Sequence, residues 1–330
     1  MDVHKYLGPV LKVKALSVAF ETGLIDILKN GSVERKTLFA RLQMPDRGLE
    51  LLLRYLCAFG VVGERRGKIC LLPDFTRDIC GYEKFVRLLV KYMEIAYSDM
   101  LGLRDLLGSN SHRGGVQNFF KYGADEAGSS DYCSFLSAYT DNQAEKFLKA
   151  YDFSRHTRVL DIGGNDGTLL AAICRKYPKV TGWCVDLPGP CAIGAGKIKK
   201  AGLANRIRFL PGNFFKDTFP VSAGVIVFKS VLHDWGNREA EALVAKAYRS
   251  LPPGGEIVVA ERFSVPGKAG PEDCLYDLAF MQLLDVNARF REKKNYFSML
   301  TDAGFKKLKC SRPCSGNFYV ISGQKPGRRQ

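Results

Sequence analysis

At 330 residues the chain has room for two domains of ordinary size, and 46% hydrophobic with 25% charged residues is the balance of a folded, core-forming protein. No apolar run reaches the ~18–20 residues of a membrane span, and an N-terminus interrupted by Lys12 and Lys14 lacks a small-residue cleavage pattern, so the expected location is the cytoplasm. A net charge of +15 raises nucleic acid as a partner, but the basic residues are dispersed, which fits a solvated surface or acidic small molecules better.

In chain order, residues 3–29 carry helical apolar spacing. "SVERKTLFARLQM" follows with Ser32 as its expected N-cap, then "DRGLELLLRYLCAFGVV" with Asp46 as cap. "VVGERRGKICLLPDF" reads as two short strands joined by a charged turn. Three helices and a two-stranded wing form a winged-helix pattern, whose third helix would meet DNA in a regulator. Here that helix contains "LELLLRYLCAFG", apolar on most faces, which favours packing or dimerisation. Amphipathic helices are predicted over 83–107 and 131–151, with a Gly- and Ser-rich connection between them.

From residue 158 the texture changes. Short β-rich runs at 158–162, 181–186, 206–210, 224–228 and 255–260 alternate with helical segments, and "FYVISGQ" supplies a late strand. That alternation predicts an α/β fold with a parallel sheet and helices on both faces. The ten cysteines are scattered, with no CxxC pair and no zinc-type His/Cys spacing, so they are expected to be reduced and no metal site is predicted.

The strand "RVLDI" runs into "GGNDGTLLAAICRKY", a glycine-rich turn that opens a helix and so offers free N–H groups and close backbone approach. Its pattern is Asp161, Gly163, Gly164, Asn165, Gly167. A carboxylate at the strand end repels the pyrophosphate of a nicotinamide dinucleotide but suits a ligand bearing an ammonium and a sulfonium. Asn165 is tolerable there because asparagine enters left-handed geometry readily. The next strand ends "VDLP", placing Asp186 where an acid accepts hydrogen bonds from ribose hydroxyls, beside Leu187. The third strand leads to Asn213 and Phe214, suited to an adenine ring. The fourth ends at Phe228, followed by Lys229 and then "LHDW", in which His233, Asp234 and Trp235 come soon after a buried run.

These motifs, together with "GNFF", "AERF" and the late "AGF", resemble the S-adenosylmethionine-dependent O-methyltransferases of the plant caffeate and bacterial small-molecule type, over nearly the whole chain. The resemblance implies a dimerisation domain of winged-helix type over 1–105, a linker with connecting helices over 106–151, and a Rossmann-like methyltransferase domain over 152–330. It implies S-adenosylmethionine as methyl donor, S-adenosylhomocysteine as product, a phenolic small-molecule acceptor, and a homodimer formed through the N-terminal domain. His233 would be the general base: a phenol with pKa near ~10 is a poor nucleophile at neutral pH until its proton is removed. Glu261 would hold that base, and Lys229 and Trp235 would line the cofactor pocket. A second family glutamate sits in a "GGxERT" turn. This chain reads "LLDVNARFREKKNYF" instead, with Arg289 or Phe290 at the expected position, so that either Glu292 or Asp285 substitutes or the role is absent. Tyr132, Leu136, Asp234, Phe280 and Met281 are the expected acceptor-facing residues. The altered turn leaves carbon or nitrogen methylation, or a relative that has lost transfer, as the same-fold alternative. A winged-helix regulator with a ligand-sensing domain is the alternative of another class.

Overall fold

The computed structural model describes residues 4–42, 44–79, 86–87, 90, 126–219, 223–265, 267, 287–314 and 317–327; of residues 4–11, 126–128 and 131 it describes the backbone alone. The chain divides into two compact units, Met1–Leu101 and Gly102–Gln330.

The first unit begins with helices His4–Glu21 and Leu24–Lys29, where a single helical stretch is expected from the spacing. Gly23, at φ +78°, breaks it, because left-handed backbone cannot continue a helix. Strand β1 (Val33–Glu34) intervenes before helix Arg35–Leu42, so Ser32 precedes a strand and does not cap the helix. Helix Asp46–Ala58 is capped at Pro45, which leaves Asp46 in its first turn, where a negative charge suits the helix dipole. Strands β2 (Val62–Arg65) and β3 (Lys68–Leu71) form the expected hairpin. Arg66 and Gly67 at its tip both have positive φ, as a two-residue hairpin turn requires. The sheet runs β1-β3-β2, followed by helix Pro73–Ile79. Leu49, Leu52, Leu53 and Leu56 of helix Asp46–Ala58 are buried against Ala19, Leu24, Ile25 and Leu38. Most of the helix predicted over 83–107 lies outside the described residues.

In the second unit, helix Glu126–Ala150 precedes a seven-stranded sheet. Its strands are β4 (Arg158–Ile162), β5 (Thr181–Asp186), β6 (Ile207–Pro211), β7 (Val225–Lys229), β8 (Glu256–Arg262), β9 (Lys306–Cys310) and β10 (Phe318–Gln324), in the order β6-β5-β4-β7-β8-β10-β9. The first five are parallel, and β10 runs antiparallel between β8 and β9. Helices Thr168–Lys176, Pro188–Lys200, Asn237–Ser250 and Lys293–Asp302 accompany it.

Side chains alternate across a strand, and the alternation sorts the two faces. Val159, Cys184, Val225, Val227 and Val258 pack with Phe147, Leu169, Leu170 and Ile173. Leu160, Val185, Ile226, Phe228, Ile257 and Val259 pack with Trp235, Leu243, Val244 and Tyr296. Continuing the same parity, Asp161, Asp186 and Lys229 belong to the first face and Glu261 to the second. The order reverses at β4, whose neighbours are β5 and β7, and the crevice outside the carboxyl ends of strands at such a point is where open α/β sheets bind ligands. Among the described residues no helix is long and apolar enough to cross a membrane.

Candidate active site

The loop leaving β4 has positive φ at Gly163, Asn165 and Gly167. At Gly163 a Cβ would also lie 2.7 Å from Val231, and at Gly164 one would meet the Asp161 carboxylate at 2.7 Å. Side chains are thus excluded where the backbone crosses the strand ends. Asp161 is 1% exposed, and its Oδ2 is buried with no hydrogen-bond partner. Burial raises its pKa to about 7, against the pull of the Lys229 ammonium. Lys229 is itself buried, lowered to about 8 by burial, with Nζ 3.2 Å from Thr140 Oγ1 and over the rings of Tyr139 and Phe318. Leu136, Tyr139, Thr140, Asp161, Gly163 and Lys229 line one cavity on this face of the sheet.

Asp186 holds the loop's shape. Its Oδ2 accepts the Asn165 N–H at 2.7 Å, and its Oδ1 accepts that of Leu187 at 2.7 Å. Its pKa rises to about 6, because burial outweighs those two bonds. A carboxylate offers about four lone-pair sites, so two N–H donors leave capacity for hydroxyls. Gly212 N–H donates to the Asp186 carbonyl, bringing the turn after β6 alongside. There the Asn213 side-chain carbonyl accepts the Phe215 N–H at 2.9 Å. That oxygen shapes its own turn and keeps a second lone pair, and the amide N–H₂ is a donor. Phe214 and Phe215 pack edge-on against Trp235, which is buried in the second-face core.

A network that the sequence reading missed ties this loop to helix Glu126–Ala150. Asp166 is buried and accepts from Ser137 Oγ at 2.5 Å, Lys197 Nζ at 2.8 Å and Thr168 Oγ1 at 2.6 Å. Asn165 Nδ2 donates to the Cys133 carbonyl at 3.2 Å. Asp166 sits inside the loop motif and could have been noticed; nothing local to Ser137 or Lys197 marks them.

On the other face, His233 lies in a turn of 3₁₀ helix, Leu232–Asp234. Its Nδ1 is 2.5 Å from Glu261 Oε2, and its Nε2 is 3.1 Å from Asp234 Oδ1. Glu261 is fully buried, and its Oε1 accepts the N–H groups of Val231 and Leu232 at 3.1 and 2.9 Å. Burial works against a charged imidazole, but Glu261 and then Asp234 outweigh it and raise the His233 pKa to about 10. Arg291, also missed, is 3% exposed and clamps the turn: it donates to the carbonyls of Leu232 at 2.6 Å and Trp235 at 2.5 Å, and to Asn237 Oδ1 at 2.9 Å.

Phe290 stands beside the His233 ring with centroids 5.2 Å apart. The structure does not bring Glu292 to the histidine. Glu292 caps helix Lys293–Asp302, with its carboxylate 2.9 Å from Lys294 Nζ. Tyr132 and Leu136 lie on helix Glu126–Ala150, half-buried, and Leu136 reaches the cavity. Phe280, Met281 and Asp285 lie outside the described residues. Among the described residues no cluster of three His, Cys, Asp or Glu side chains is placed to hold a metal.

A glycine loop at the switch point of this sheet, with acids at the ends of β4 and β5 and a buried His–Glu pair across the sheet, defines a Rossmann-like transferase site. Residues 103–306 match the O-methyltransferase domain family, and the chain belongs to that family. It is 26% identical over 327 residues to 3-hydroxy-5-methyl-1-naphthoate 3-O-methyltransferase of Streptomyces sahachiroi, covering 95% of this chain and 92% of that one. It is 29% identical over 308 residues to aclacinomycin 10-hydroxylase RdmB of Streptomyces purpurascens, covering 88% and 80%. In structure it resembles PigF with SAH, at TM-score 0.85, 24% identity and 98% coverage of both chains, a likeness of fold.

Proposed function

We propose that this protein transfers a methyl group from S-adenosylmethionine to a hydroxyl of an aromatic small molecule, with His233 receiving the hydroxyl proton. The donor supplies an electrophilic methyl on a sulfonium, next to an ammonium. The residues present fit it: the unpartnered, buried Asp161 Oδ2 is an anionic acceptor waiting for a cation in a cavity whose glycines admit close approach. Asp186, with lone pairs to spare, would hold the ribose. Asn213 and Phe214 would hold the adenine, and Lys229 and Trp235 would border the pocket.

The observation that carries the hydroxyl assignment is the His233–Glu261 contact at 2.5 Å. A buried carboxylate that already accepts two backbone N–H groups cannot turn away. It fixes Nδ1–H of the imidazole, so that Nε2, which faces Asp234 at 3.1 Å, is the nitrogen that would exchange a proton with an acceptor. Methylation of a phenolic oxygen needs such a group, because the proton must leave as the bond to carbon forms. Similarity to a naphthoate 3-O-methyltransferase supports an aromatic acceptor. Similarity to a hydroxylase keeps a second reading open, a relative that binds the cofactor without transferring methyl.

Calorimetric titration with S-adenosylmethionine and S-adenosylhomocysteine, followed by a screen of hydroxyarenes with methyl-labelled donor, tests the proposal. Both sulfur compounds should bind, and His233→Ala should cut turnover by about 10²–10⁴-fold with donor affinity unchanged. Binding without transfer to any hydroxyl would favour the second reading, and unaltered turnover in His233→Ala would remove the base.

A further inference from the structure

Asn213 and Phe214, which would hold the donor's adenine, stand on a turn of chain beyond the end of β6. The N–H groups of Lys216 and Asp217 donate to the Asn213 carbonyl at 2.9 and 2.8 Å and close that turn. Asp217 Oδ2 accepts the Asn213 N–H at 2.6 Å, and Asn213 Oδ1 accepts that of Phe215 at 2.9 Å. Gly212 fastens the entry through its N–H to the Asp186 carbonyl at 2.9 Å. All of these bonds use N–H groups of the turn. Its later carbonyls need a partner from elsewhere, because one isolated turn of backbone does not hold itself.

That partner is Lys246, on helix Asn237–Ser250. Its Nζ donates to the Phe214 carbonyl at 2.6 Å and to the Asp217 carbonyl, and it lies 4.7 Å from the centre of the Phe219 ring. An ammonium has three donors and no acceptor, and a cation suits the carbonyl end of a turn, so lysine fits the place. The helix is a firm base for it, since Ala240, Leu243, Val244 and Ala247 are buried in the second-face core. Among the described residues, every hydrogen bond of this ammonium goes to the turn. The rings of Phe214 and Phe215 stand edge-on to the buried Trp235, with centroids 5.9 and 4.6 Å away. The turn is thus held at its start by Gly212, in its middle by Trp235 and at its end by Lys246.

We propose that Lys246 is a positioning residue for donor binding: acting through two carbonyls, it fixes the Asn213–Asp217 turn beside Asp186 before the donor arrives. The inference rests on the methyl-transfer reading of the site. Ordering a loose turn at the moment of binding subtracts from affinity, and a turn ordered beforehand avoids that loss. The lysine touches neither Asp161 nor the His233–Glu261 pair, so its effect falls on the adenosine half of the donor. Its aliphatic stem is not what the turn needs. The need is for N–H donors at the end of a side chain long enough to reach both carbonyls.

The test is calorimetric titration of the full-length protein with S-adenosylhomocysteine and, separately, with adenosine, in the wild type, Lys246→Met and Lys246→Arg. Lys246→Met keeps an unbranched stem and removes the donors. It should weaken S-adenosylhomocysteine about tenfold, the net worth of one hydrogen bond, and adenosine by the same factor. Lys246→Arg should restore most of the affinity. The chain has two tryptophans, so in a Trp183→Phe background the near-ultraviolet circular dichroism of the indole reports Trp235 alone. That band should weaken in Lys246→Met and recover when S-adenosylhomocysteine saturates the site, a response that a general loss of stability would not give. If Lys246→Met does not fold, Lys246→Gln serves instead: its amide still donates to one carbonyl, and an intermediate loss is expected. Unchanged affinity in whichever of the two folds overturns the proposal, as does a loss for S-adenosylhomocysteine with none for adenosine. If the wild type bound neither S-adenosylmethionine nor S-adenosylhomocysteine, the proposed function itself would fall. Wild-type binding with an unaltered Lys246→Met would remove only the role of Lys246.

Discussion

Asp161 shows how one side chain carries a burden that protonation or a cation relieves. A carboxylate 1% exposed, with one oxygen lacking any partner, is costly unless it is neutral or meets a cation. Burial sets its pKa at about 7 in the free protein, so the charged form that attracts an ammonium is populated above that pH and lost as pH falls through it. Lys229, lowered to about 8, repels the ammonium more when protonated, which acts in the same direction. Affinity for S-adenosylhomocysteine should therefore fall about eightfold between pH 7.5 and pH 6 by proton linkage. Asp161→Asn should bind weakly at both values. Calorimetry at the two pH values checks this, and a flat profile in the wild type would place the ammonium elsewhere.

Where helix Glu126–Ala150 runs into β4, a buried polar cluster fastens element to element. Tyr151 Oη donates to Glu256 Oε2 at 2.5 Å and is 2.8 Å from His156 Nε2, while Arg155 reaches the same glutamate at 2.8 Å. Tyr151, His156 and Glu256 are all buried, and they join the stretch before β4 to the first residue of β8. Tyr151→Phe keeps the ring in the core with Phe147 and Phe153 but removes one of the two donors to Glu256 Oε2 and takes away the hydrogen-bond partner of the buried His156 Nε2. A buried group left without a partner costs about 1–3 kcal/mol, which is the expected destabilisation in urea unfolding. A loss below about 0.5 kcal/mol, typical of a surface substitution, would show that Arg155 alone satisfies Glu256. The cluster lies at the amino-terminal ends of the strands, so donor affinity in this variant should be unchanged.

For the whole molecule, the open matters are assembly and charge. We propose that the first unit mediates a homodimer; in its favour, Val18 and Tyr55 stand more than a third exposed there, large apolar groups without cover in a single chain. Sedimentation should give twice the 36.7 kDa mass of one chain, and a species of single mass at micromolar concentration would refute the dimer. Helix Asp46–Ala58, where a winged-helix protein would touch DNA, exposes Asp46, Arg47, Glu50 and Arg54, an even balance of signs and no basic stripe. Retention of duplex DNA in a gel-shift should accordingly be weak and lost as salt rises from 50 to 200 mM, the behaviour of dispersed positive charge. Tight, sequence-selective binding would favour the regulator.

The sequence by itself determined the parallel sheet, because strands buried on both faces read as continuous apolar runs, and β4 through β8 fall within a residue or two of the expected segments. It determined the loop as well: Gly163, Asn165 and Gly167 are the residue types that left-handed backbone demands, and all three adopt it. It did not reveal β9, whose "KKLKC" is too polar to mark a strand and which exists by pairing with β10. The start of helix Arg35–Leu42 was misplaced because local capping signals cannot foresee β1 pairing with a strand more than thirty residues away. The largest share left to tertiary structure is the chemistry around His233. Glu261 lies 28 residues further on and reaches the ring because alternation along β8 puts it on the same sheet face. Asp234 at Nε2, Phe290 at the ring and Arg291 beneath the turn depend on how a 3₁₀ turn and a strand-like segment pack side by side. Residue type and spacing fix which groups are available to a site, whereas the direction in which each one points is set by packing between elements far apart in the chain.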